Sequence, residues 1–140
     1  MSKVFKLMVV SSKSFEEQLK NGGESYEDAY SNIDIFLERN GCNIYNVMVC
    51  SRGEDHKTGI GEHYAVERGI RRKVFRPNWA QYGKKSGSVR DRIMVKEASA
   101  IIVFWDGACS KANRVISIAK RLKVPIRVIN YTEKDWLNEL

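Results

Sequence analysis

No apolar run in the chain approaches the length of a membrane span, so no membrane-crossing helix is expected. Met1-Ser2-Lys3 leads straight into a strand-like segment, not into a signal peptide. Cysteine is scarce: Cys42, Cys50 and Cys109 show neither C-x-x-C spacing nor an even count. That argues against a disulfide framework and for free thiols in a reducing compartment, with the cytoplasm as the expected location. His56 and His63 stand seven apart with no cysteine pair near them, so no metal site is expected. A G-x-G-x-x-G is missing too, which removes the standard dinucleotide fingerprint, and no cofactor is expected. Internal repeats, low-complexity stretches, a basic tail, a zinc module and a basic helix are all missing from this reading, which counts against nucleic acid as the main partner.

What is present fits one ordinary domain over residues 1–140, long enough for a real core. Hydrophobic content of 43% and charged content of 29% are globular values. The net charge of +7 favours anionic partners without naming them. Cations cluster briefly at Arg71-Arg72-Lys73 and Lys84-Lys85, where a solvated surface and a functional patch explain them equally well.

Apolar runs alternate with helical stripes along the chain. Strands are expected at residues 4–10, 44–50, 73–75, 101–104 and 124–129. Helices are expected from a cap at Ser25 to Asn40-Gly41, over 59–67, over 89–98 behind a cap at Ser88, over 111–122 and over 131–140. The stripe of the fourth is Val115, Ile118, Ala119 and Leu122. Such alternation predicts an α/β fold, a doubly wound and mainly parallel five-stranded sheet with helices on both faces. In such a sheet the ligand crevice lies beyond the carboxyl ends of the strands. The Ser11-Ser12, Arg52-Gly53 and Asp106–Ser110 loops fall on that edge.

One stretch organises the rest. Residues 79–94 read Trp79-x-x-Tyr82-Gly83-Lys84-x-x-Gly87-x-x-Arg90-Asp91-x-x-Met94, and Phe104-Trp105-Asp106-Gly107 follows after a buried strand. Glycines, cations and a helix start suit a phosphate. Arg90 in the first turns of a helix opposes the helix dipole, which asks for an anion or a carboxylate such as Asp91 or Asp106. Arg90 and Lys84 are expected to meet an anionic group of the ligand, and Asp106 to orient Arg90 or accept from a ribose hydroxyl. Trp79 and Tyr82 either stack on a base or pack on the core, and packing is the commoner role of aromatics beside a sheet.

These two motifs resemble the YspA-like branch of the SLOG superfamily of Rossmann-like nucleotide-binding domains. That branch reads W-x-x-Y-G-K-x-A-G-x-x-R-N-x-x-M and then F-W-D-G-x-S-x-G-T. Ser86 replaces the alanine, Asp91 the asparagine, and Lys111-Ala112 the final Gly-Thr. The resemblance spans roughly residues 45–130. It implies strand order 3-2-1-4-5 and a nucleotide-derived ligand. The ligand-binding set it implies adds Arg52, Gly53 and Asp55, matching R-G-x-D after the second strand, to Trp79, Tyr82, Gly83, Lys84, Gly87, Arg90, Asp106, Gly107 and Ser110. Ser11 and Ser12 join the set as hydroxyl donors, although a plain serine-rich connection explains them equally well. A homo-oligomer is implied as well.

The leading expectation is a domain that senses or sequesters a nucleotide or a nucleotide-derived signalling molecule, such as an ADP-ribose derivative or a cyclic nucleotide. The second is a nucleoside-phosphate N-glycosidase, of the kind that releases ribose phosphate. SLOG enzymes of that type carry P-G-G-x-G-T-x-x-E after the fourth strand, whereas this chain has Asp106-Gly107-Ala108-Cys109-Ser110-Lys111-Ala112-Asn113-Arg114. The glutamate that would stabilise an oxocarbenium-like state is missing, so binding without turnover is favoured. Single-stranded nucleic-acid binding ranks third.

Overall fold

Residues 7–10 and 101–104 are apolar at every position, so a strand made from either must be buried on both faces. The computed structural model describes residues 4–12, 15, 26–52 and 59–133, and realises this arrangement. The strands are β1 (Phe5–Ser11), β2 (Val47–Arg52), β3 (Arg71–Phe75), β4 (Ala100–Trp105) and β5 (Ile126–Asn130). The helices are α1 (Tyr26–Arg39), α2 (Ile60–Arg68), the single turn α3 (Trp79–Tyr82), α4 (Ser86–Glu97) and α5 (Ser110–Leu122). All strands pair in parallel in the order β3-β2-β1-β4-β5, as expected. No described helix is long and apolar enough to cross a membrane.

Alternation along the strands divides the core in two. Leu7, Val9, Val49, Ile102 and Phe104 pack against α1 and α2. Met8, Val10, Cys50, Ile101 and Val103 pack against α4 and α5. Edge strand β3 instead exposes Arg71, Arg72 and Lys73, charges that discourage pairing with another strand. The chain steps outward from β1 to β3, then returns through α3 and α4 to β4 on the other side of β1. That reversal makes the carboxyl ends of β1 and β4 the topological switch point, where ligands of such sheets bind.

Several expected boundaries move. Residues 44–46 form a 3₁₀ turn, not the start of β2. The stretch before the third helix is not a loop: α3 and a 3₁₀ turn, Gly83–Lys85, lead into α4 at Ser86. Ser88 therefore lies inside α4 and caps nothing. Leu122, expected in the core, is 41% exposed, because it ends the helix beyond the sheet contact. Residues 131–133 form a turn. The Ser25 cap, the expected loop at 53–58 and residues 134–140 lie outside the described residues.

Helix α2 approaches the sheet closely at Gly61. A Cβ built there would lie 2.8 Å from Val9 Cβ, which is fixed to the β1 backbone. Gly61→Ala should therefore destabilise the protein by roughly 1–3 kcal/mol through overpacking, despite the better helix propensity of alanine. Urea unfolding checks this; a more stable Gly61→Ala protein would refute the close packing.

Candidate functional site

Strand alternation at the end of β2 sends two neighbouring side chains to opposite faces. Ser51 points to the α2 side, where its Oγ donates to Glu62 Oε1 at 3.0 Å. Arg52 points to the α4 side and meets Asp91. Asp91 lies in the second turn of α4, is fully buried, and is the hub of the site.

Three guanidiniums converge on this one carboxylate. Arg52 Nη2 donates to Oδ2 at 3.3 Å, with Nε 3.2 Å from Oδ1. Arg90 Nε donates to Oδ1 at 3.1 Å. Arg114, from the second turn of α5, donates to Oδ2 through Nε at 3.1 Å and Nη2 at 2.7 Å. The side chains of Arg52 and Arg90 are only 8% and 7% exposed. Charged groups leave water at a cost of several kcal/mol each unless they are well paired. Among the described residues, Asp91 supplies one negative charge against these three positive ones, and the Nη groups of Arg90 bond to no described residue.

Helix α4 continues directly from the Gly83–Lys85 turn: the Ser86 N–H donates to the Gly83 carbonyl, and no side chain caps the helix start. Ser86, its first residue, is fully buried, and its Oγ has no hydrogen-bond partner. Gly87 sits over the guanidiniums: a Cβ there would lie 3.6 Å from Arg114 Nη2 and 3.9 Å from Arg90 Nη2. Gly83 reaches φ +55°, a conformation that favours glycine, where the 3₁₀ turn joins α3. A buried hydroxyl without a partner and three guanidiniums around one carboxylate among the described residues together fit an anionic oxygen cluster.

The remaining expected residues divide. Ser12 is buried and its Oγ accepts from the Asp106 N–H at 3.1 Å, tying the β1 and β4 loops together. Ser11 ends β1, half-buried, on the same edge. Asp106 does not orient Arg90. Its Oδ1 accepts from the backbone N–H groups of Ala108 and Cys109 at 2.8 and 2.7 Å, so it shapes the turn into α5. Arg90 finds the adjacent carboxylate instead, because Asp91 shares its helix. Gly107 takes φ +84° in that turn, and Ser110 is exposed at the start of α5. Lys84 is exposed on the 3₁₀ turn and pairs with no described residue. The packing role expected of Trp79 and Tyr82 fails: they are 59% and 39% exposed, since α3 lies outside both core layers. Gly53 and Asp55 lie outside the described residues.

Arg114 was not among the expected site residues. Its signal was its place four residues before Ile118, at the edge of the apolar stripe of α5. A second polar group, on the α1–α2 face, is structural. Tyr64 donates its hydroxyl to Asp34, Arg68 Nη2 donates to Asp34 Oδ2 at 2.9 Å, and the Arg68 guanidinium lies 5.4 and 5.7 Å from the Tyr30 and Tyr64 ring centroids. Burial first, and the bond to Asp34 second, push the Tyr64 phenol well above its usual range. Burial likewise pushes the Cys50 thiol up, so it is a packing group and not a nucleophile. Set against known proteins, the chain matches no family model, no curated protein and no solved structure.

Proposed function

We propose that this protein binds a nucleotide or a nucleotide-derived signalling molecule, such as an ADP-ribose derivative or a cyclic nucleotide, and senses or sequesters it without turnover. One observation carries the reading: the Ser86 hydroxyl is buried without a partner, and one helical turn on Arg90 is nine-tenths buried, with Nη groups that bond to no described residue. A phosphate oxygen supplies the acceptor that both groups lack. The site lies at the carboxyl edge of a doubly wound sheet, where such ligands bind. Exposed Trp79 and Tyr82, on the turn leading into α4, offer ring faces for a base. The likeness of the two motifs to SLOG domains supports the same ligand class. It also leads us to propose a cytoplasmic homo-oligomer.

Turnover is not part of the reading. Asp106 spends Oδ1 on two backbone N–H groups, and Glu62 lies on the opposite face of the sheet, bonded to Ser51. Mass spectrometry of small molecules released from the heat-denatured protein should reveal a co-purified nucleotide. A panel of nucleoside monophosphates and ADP-ribose derivatives should bind and stay intact. Release of free base well above the buffer rate would replace the proposal with an N-glycosidase. Failure of every phosphate-bearing compound to bind would remove it.

A further inference from the structure

The two helical layers carry opposite charge. On α1 and α2, six carboxylates stand with two arginines. On α4 and α5, seven cations stand with two carboxylates, and α5 has no acidic residue at all. This corrects the expectation that no helix is basic. Of those two carboxylates, Asp91 is buried and Glu97 lies 3.8 Å from Lys73, so the outer surface of this layer is almost purely cationic.

A shallow groove runs between α4 and α5, lined by Arg92, Lys96, Ile118, Arg121 and Leu122. Its volume of about 210 Å³ is below that of small-molecule cavities and suits one or two side chains. Leu122 in the groove and Ile93 on α4 are 41% and 45% exposed. Arg92 and Lys96, one helical turn apart, repel each other. The acidic layer has matching features: Ile35 and Val66 are exposed, with Glu38 and Glu67 exposed on the same two helices.

We infer that the basic groove docks the acidic α1–α2 face of a second copy of this chain, head to tail. Two-fold pairing through the groove would set Arg92, Lys96 and Arg121 against their own counterparts, a like-charge contact costly at any interface. An acidic face that also bears the exposed Ile35 and Val66 satisfies both the cations and the Leu122 side chain. A nucleic-acid backbone satisfies the cations alone. Because the two faces differ, the contact repeats along a line unless rotation closes a ring. Neither Arg90 nor Arg114 takes part, so the inference stands apart from the ligand reading.

Complementary variants test it. One protein carries Arg121→Gln with Leu122→Ser, and the other Glu67→Gln with Val66→Ser. Circular dichroism and melting curves verify that each folds. In sedimentation velocity, wild type should grow beyond a dimer with concentration. Each variant alone should remain monomeric, and an equal mixture should form one dimer and nothing larger. Three results would overturn the inference: a monomeric wild type throughout the series, a dimer that persists in either variant alone, or a mixture that stays monomeric. A monomeric wild type that binds a single-stranded oligonucleotide through Arg121 would assign the face to nucleic acid instead.

Discussion

Asp91→Asn should lower stability by about 3–5 kcal/mol, the cost of breaking a buried ion pair and leaving its partners charged. Asparagine keeps the shape of the side chain, so the effect isolates charge. Arg52, Arg90 and Arg114 would then crowd together without the carboxylate that all three contact. At about 3 °C per kcal/mol for a domain of this size, the melting point should drop by roughly 10–15 °C. The same substitution makes the cluster more positive. Added inorganic phosphate should therefore stabilise Asp91→Asn more than wild type, by mass action on an anion site. A melting point within a degree or two of wild type would show that the three guanidiniums do not depend on Asp91.

Arg90→Ala is expected to act in the opposite way, mainly on binding. Asp91 keeps Arg52 and Arg114, so the carboxylate stays paired. Loss of one buried charged hydrogen bond should cost about 1–3 kcal/mol of stability and leave the protein folded. Affinity for the nucleotide that binds wild type best should fall at least about 100-fold, or ~2.7 kcal/mol. Arg90→Lys should recover only part of that loss, since an ammonium keeps the charge but not the planar fork. Calorimetric titration of both variants beside thermal melts separates the two roles. Unchanged affinity in folded Arg90→Ala would remove this residue from the site.

Much of the architecture could be read along the chain. Continuous apolar runs such as residues 101–104 can only be strands buried on both faces, and alternation with helical stripes then calls for parallel pairing. Gly69 with φ +66° closes α2 as a glycine after a helical stripe should. Arg90 stood out because a cation in the first turns of a helix opposes its dipole. The helix start itself was misplaced. Ser88 has the chemistry of a cap, but the chain enters α4 already helical from the Gly83–Lys85 turn, so no cap is needed at that point.

The partners of the site residues were not legible, for a geometric reason. Arg52, Asp91 and Arg114 lie 39 and 23 residues apart in sequence and meet only because β2, α4 and α5 stack on one side of the sheet. Local spacing offered both Asp91 and Asp106 to Arg90, and Asp106 was the one expected to orient it. Packing decided for Asp91, and gave Asp106 to the turn into α5. Exposure of Trp79 and Tyr82 was likewise undecidable, because aromatic character drives burial only where a core face is within reach.

The sequence by itself determined the five strands, the four longer helices, the parallel pairing and the identity of the edge that holds the polar loops, because hydrophobic period and turn chemistry act over a few residues. Tertiary structure alone decided that three arginines share one buried carboxylate, and that the two helical layers carry opposite charge. Those are sums over elements distant in the chain, and only folding brings their charges within reach of one another.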